Sequence, residues 1–230
     1  MMTSLFWKDS VVNRMSFLAV LGLFGLPFLI LPFYLTWVAE TGWSSEVARH
    51  VAITGLISLS SMIFAVAVFG ASAFAAERAE GSAEFLAVLP PTRLHHLISK
   101  SVVALVGWGV PWAIGVAIVL AAARSVAAGG SASGDEWVYA TAAVGITFGL
   151  AAQTFGLAWM FSSFVATPSR AGSFAMWAST ILFVIFAVRA PHLGATEPES
   201  VGRLFLIAGV GIGLTTYLIG CRVYLKRTQP

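Results

Sequence analysis

The sequence predicts an all-α integral membrane protein with six transmembrane helices, a short interfacial helix before the first, and a short cytoplasmic helix between the second and third. Three observations carry this reading. Hydrophobic residues make up 58% of the 230 residues and charged residues only 10%, against about 25% charged in a soluble domain. Six apolar runs approach or exceed the roughly 20 residues a helix needs to cross the hydrocarbon core. The charged residues fall almost entirely in the connections between those runs.

Backbone groups cannot stay unpaired in lipid, so each run is expected to be helical. The runs lie at about 15–38, 51–76, 101–123, 137–164, 172–188 and 203–221, and form one domain over 1–230. The first contains the apolar stretch Phe17 to Val38. That stretch is too long for a signal-peptide core and carries no clear cleavage site, so it reads as a retained span. Ahead of it, Thr3 to Arg14 reads as an interfacial helix. Leu5, Phe6, Val11 and Val12 share its apolar side, and Lys8, Asp9, Asn13 and Arg14 are expected to stay in water. Pro27 and Pro32 in the first span and Pro111 in the third each remove a helix hydrogen bond and are expected to bend their helices.

The fourth span is long enough to tilt or to continue past the bilayer. Along it, Gly145, Gly149, Ala152 and Gly156 fall on one side, as do Gly209, Gly213 and Gly220 in the sixth. Such small-residue faces let helices approach closely. They are expected to pack within the subunit, with an interface between subunits as the alternative. The fifth span is the shortest. The connection after it, from Arg189 to Gly202, is broken by Pro191, Gly194 and Pro198, and has room for a short interfacial or re-entrant piece.

Lysine and arginine set the orientation. With both termini cytoplasmic, the inner segments hold Lys8, Arg14, Arg78, Arg93, Lys100, Arg170, Arg222, Lys226 and Arg227, and the outer ones hold Arg49, Arg124, Arg189 and Arg203. Nine against four follows the positive-inside rule. The expected location is the plasma (inner) membrane of a prokaryote. The net charge of +3 therefore reads as membrane-flanking anchors facing lipid, with no nucleic-acid partner. Cys221 is the only cysteine, so no intrachain disulfide forms.

Several chemistries are missing. No span holds a charged residue well inside its apolar core, which weighs against a carrier driven by protons or ions. There is no phosphate-binding loop, and neither an HExxH nor a GxSxG motif. Paired acid, base or metal groups suited to an intramembrane enzyme are also lacking. The polar groups at depth are mainly Ser60, Ser61, Gln153, Ser179 and Thr180, suited to hydrogen bonds between helices. His50 and His192 fall outside. His95 and His96 are adjacent and point about 100° apart on a helix, which suits interfacial residues beside headgroups better than a metal clamp.

The longest polar interruption is Glu77 to Arg93. Glu77, Glu80 and Glu84 share a helix face, and Glu80 and Glu84 repel as like charges four apart. A carboxylate face beside an anionic leaflet needs water or cations. Phe85, Leu86 and Leu89 add apolar bulk nearby, and Pro90-Pro91 ends the helix. Such a segment, held between two spans, is built to dock on a partner and pass its movement onward.

The segment resembles that of the permeases of type 2 ATP-binding-cassette (ABC) exporters. Their second and third spans are joined by Glu-x-x-x-Gly-(Thr/Ser)-x-Glu-x-Leu-x-x-x-Pro, then a basic residue and a lysine. Here the matching residues are Glu77, Gly81, Ser82, Glu84, Leu86, Pro90, Arg93 and Lys100. Length, span count, interfacial N-terminus and outer loop are similar more loosely. The resemblance implies a coupling helix seated on an ATPase subunit, with Glu80, Gly81, Glu84, Phe85 and Leu86 as contact residues and the N-terminal helix as a second contact. It further implies two permeases, identical or homologous, paired with two ATPase subunits that carry the ATP and Mg²⁺. The chain itself would bind no cofactor or metal and have no catalytic residues. Within the family, Gly81-Ser82-Ala83-Glu84 is similar to the haem exporter permease of cytochrome c maturation. Permeases for drugs, lipids, antibiotics or copper-site maturation fit equally. A membrane scaffold or assembly subunit that docks through the same segment and transports nothing is the alternative from another class.

Overall fold

The structure is a computed structural model that describes residues 2–38, 43–79, 93–128 and 135–226. The described residues form seven α-helices: α1 (Met2–Val12), α2 (Arg14–Val38), α3 (Trp43–Ala79), α4 (Arg93–Ala128), α5 (Asp135–Ser162), α6 (Pro168–Arg189) and α7 (Pro198–Lys226). Among them α2 to α7 are long and apolar enough to cross a membrane, making this a multi-pass membrane protein. Glu80, Gly81, Ser82, Glu84, Phe85, Leu86 and Pro90, and with them the expected coupling helix, lie outside the described residues.

Two helices run well past the apolar runs that announce them. α3 has 37 residues and α4 has 36, each on the order of 55 Å long at 1.5 Å per residue, against a hydrocarbon core of about 30 Å. Hydropathy marks where lipid ends, while the helix continues as long as its next turns find partners. The turns carrying Glu77 and Arg78, and those from Arg93 to Lys100, are thus continuous with the spans. α2 and α4 remain helical through Pro27, Pro32 and Pro111.

α3 and α5 are the inner helices. α5 packs on α3, α4, α6 and most extensively on α7, while α3 also meets α2, α4 and α6. The α5–α7 seam is made of glycines. An added Cβ at Gly145 would lie 2.9 Å from the Gly202 carbonyl oxygen, and one at Gly149 or Gly156 would run into the carbonyl oxygens of Phe205 or Gly213. Conversely, Cβ atoms at Gly209 and Gly213 would strike the Gly149 and Ala152 backbones. Dispersion over this backbone contact, rather than hydrophobic transfer, holds two helices together where lipid is the solvent.

The core beside the seam is aromatic. Trp159 is fully buried and contacts Phe74 edge-on at 5.1 Å, with Phe155 at 5.5 Å and Tyr217 at 5.1 Å. Polar groups at depth split two ways. Gln153 and Thr154 of α5 bond across to the Ser179 carbonyl and hydroxyl of α6, and Ser61 donates to the Leu23 carbonyl of α2. Ser60 and Thr180 instead donate to carbonyls of their own helices. After α6 the chain forms a single 3₁₀ turn, Pro191–Leu193, closed by Gly194 at φ 78°. That left-handed conformation favours glycine. The connection between α6 and α7 is therefore a tight turn without a re-entrant piece.

Candidate functional site at the base of the 80–92 connection

The two flanks of residues 80–92 are the C-terminal end of α3 and the N-terminal end of α4, and a polar cluster joins them. Lys100 Nζ donates to Glu77 Oε1 at 2.9 Å. Lys8 of α1 reaches the same oxygen at 3.3 Å. The Lys100 and Glu77 side chains are only 8% and 11% exposed, whereas Lys8 is 36% exposed. One mostly buried carboxylate thus draws together three helices, with two cations to offset the desolvation it suffers.

A second strand of bonds ties α1 down. Ser99 Oγ donates to Asp9 Oδ2 at 2.5 Å, and Asp9 is only 2% exposed. Asn13 Nδ2 donates to the Asp9 carbonyl at 2.8 Å, and Ser72 of α3 donates to Asn13 Oδ1 at 3.3 Å. This corrects the expected posture of the N-terminal helix. Asp9 is not in water, and Lys8 and Asn13 turn towards the protein while Trp7 and Val11 face outward, Trp7 strongly so. The reason is that an interfacial helix can invert when the protein beside it offers buried polar partners and lipid accepts its apolar side.

Arg78 makes the third tie. Its Nη1 donates to the Ser163 carbonyl at 2.9 Å, and its Nη2 to the Val165 carbonyl at 2.8 Å and to the Ser162 carbonyl. These acceptors close the C-terminal end of α5, where helical carbonyls lack intrahelical donors and the helix dipole favours a cation. The fork of the guanidinium suits several carbonyls at once. α5 accordingly stops at Ser162, short of the expected 164.

His96 needs correction as well. It is 3% exposed, so it sits inside this cluster and not among the headgroups, and neither ring nitrogen has a hydrogen-bond partner. As the fourth residue of α4 it lies on the same side as Ser99 and Lys100, three and four positions on.

Of the residues singled out in the sequence, Glu77 is at the centre of this cluster and Arg93 opens α4, exposed. Lys8, Asp9, Arg78, Ser99 and Lys100 complete the site. Lys100 already stands in the motif, but the others give little signal in the sequence: Lys8 and Arg78 count as membrane anchors, Asp9 as a residue in water, and Ser99 not at all. Among the described residues no group of three His, Cys, Asp or Glu could hold a metal ion. Comparison of the chain with protein-family models, curated proteins and solved structures finds no match.

Proposed function

We propose that the chain is the transmembrane permease subunit of an ABC exporter, driven by ATP that a separate ATPase subunit hydrolyses. The observation that carries this reading is the mounting of residues 80–92. Their flanks are paired to each other through Glu77 and Lys100, to α1 through Lys8, and to the end of α5 through Arg78. A segment on so stiff a base moves its helices when it is pushed, whereas a loosely attached loop would absorb the push. In sequence, Glu80, Glu84, Phe85 and Leu86 give the segment the acidic and apolar side chains that such a partner would recognise.

In this reading the ATPase binds ATP and Mg²⁺, and the chain brings neither cofactor nor catalytic group. A second permease, identical or homologous, completes the translocation unit. Both termini and the 80–92 segment face the cytoplasm of a prokaryotic cell, with lipid around the spans. The test is affinity purification from the native membrane in mild detergent. We expect a stoichiometric ATPase with a phosphate-binding loop to co-purify, and Glu84→Lys to weaken its association while insertion is unchanged. Recovery of the chain alone or with an assembly complex lacking an ATPase would overturn the transporter reading in favour of a scaffold.

A further inference from the structure

α3 and α6 touch at Ala71 and Gly172, where an added Cβ on the glycine would meet the Ala71 Cβ at 3.6 Å. Around that contact they leave an open groove of about 760 Å³. Phe64, Val68 and Ala71 form one wall, and Gly172, Met176 and Trp177 the other. Its floor and walls are apolar except for a run of hydroxyls on α6, namely Ser169, Ser173 and Thr180.

The depth of this groove can be read from α6. Arg170 and Arg189 bracket the helix, and 19 rises place them about 28 Å apart, close to the roughly 30 Å thickness of the hydrocarbon core. Arg170 therefore stands at one headgroup level and Arg189 at the other. From Ser169 to Thr180 the groove descends about 16 Å, the depth of one leaflet, so one acyl chain entering at Ser169 fills it end to end.

The head end is marked by charge. Arg170 is exposed, and no described acidic residue pairs with it. Arg170 does not itself line the groove, but it lies three residues before Ser173 and seven before Trp177, which do, and so it is on their side of α6. Arg78 is committed nearby to the carbonyls of Ser162, Ser163 and Val165, which fixes the turn leading into α6. The first turn of α6 starts from Thr167 without a side-chain cap, so its first amides have no partner within the helix. A zwitterionic headgroup gains little from a lone cation, because its own ammonium opposes it. An anionic headgroup gains fully.

We propose that the α3–α6 groove is a binding site for an anionic phospholipid of the leaflet on the Arg170 side, its acyl chain lying along Phe64, Met176 and Trp177 and its phosphate paired with Arg170. The site does not depend on the transport reading. It would give the protein a preference for a membrane rich in such lipids and settle α6 against α3.

Trp177 supplies the probe, since it is 70% exposed in the groove and about 10 Å below Arg170. The purified full chain is reconstituted in phosphatidylcholine vesicles with a minor fraction of phosphatidylglycerol, one lipid or the other brominated on its acyl chain. Subtracting the fluorescence of Trp177→Phe isolates the Trp177 signal. We expect brominated phosphatidylglycerol to quench it as though enriched roughly fivefold over its bulk fraction, the yield of one interfacial arginine. The enrichment should vanish in Arg170→Gln, persist in Arg170→Lys and weaken with salt. Equal quenching by both lipids would overturn the proposal, as would enrichment that survives Arg170→Gln. Protection of Trp177 from both lipids would do so too, by showing that protein covers the groove.

Discussion

Lys100 donates to Glu77 at 2.9 Å across the two ends of residues 80–92, so the last turn of α3 and the second turn of α4 form one charge-paired unit. Breaking a mostly buried pair by removing one partner leaves an uncompensated charge, at a cost of roughly 3–5 kcal/mol. Lys100→Met is expected at the lower end of that range, because Lys8 still reaches the Glu77 carboxylate at 3.3 Å. Unfolding in mixed micelles measures it. The double variant Glu77→Gln/Lys100→Met should recover most of the loss, and a double-mutant cycle in which the two losses simply add would rule out direct coupling.

Arg78→Met is expected to loosen a different joint. It strips donors from the carbonyls of Ser162, Ser163 and Val165, and a buried acceptor left without a partner costs about 1–3 kcal/mol. Hydrogen exchange should rise in the turn from 162 to 168 and in the first turn of α6, with the centre of α5 unaffected. Uniform loss of protection across the bundle would show instead that Arg78 holds the whole fold. Arg78→Lys should rescue only in part, since a single ammonium cannot span three carbonyls as the guanidinium fork does.

The fold and the site were unequally legible in the sequence. Spans are legible because the bilayer imposes a length and a polarity on every helix that crosses it, and the four-residue spacing of Gly145 and Gly149 already puts them on one side of α5. What hydropathy cannot give is how far α3 and α4 extend into polar sequence. That depends on partners such as Lys8 and Asp9 of α1, which lie 69 and 90 residues from Glu77 and Ser99 in the chain. For the same reason Asp9 reads as a wet residue on a periodicity argument, and only the pairing with Ser99 shows it to be buried. Arg78 carries no periodic signal at all. Its role comes from meeting the end of α5, a contact between distant segments that no local pattern records.

His96 offers a contrasting expectation. Its ring is buried with both nitrogens unpartnered, so it already bears the desolvation cost of its polar atoms. Replacing a polar group that has no partner by an apolar one of similar volume is close to neutral or stabilising. His96→Leu is therefore expected to leave stability unchanged or slightly raised in the same unfolding assay. A loss above about 1 kcal/mol, the worth of a typical hydrogen bond, would mean that the ring makes a polar contact in the membrane-embedded protein.

The glycine seam gives the sharpest comparison, because the two helices contain glycines in opposite environments. A Cβ at Gly156 would collide with the Gly213 carbonyl oxygen and stand 2.5 Å from Thr216 Oγ1, whereas a Cβ at Gly211 meets nothing within 4 Å. In a helix interior, alanine is favoured over glycine by about 0.5–1 kcal/mol on backbone entropy. Gly211→Ala should gain about that much. Gly156→Ala should lose it and more, since backbone cannot yield as a flexible side chain does and overpacking costs about 1–3 kcal/mol. If the seam packs α5 on α7 of the same chain, the Gly156→Ala loss must not depend on protein concentration, because no association step is involved. A loss that grows on dilution into detergent would place these glycines between subunits instead.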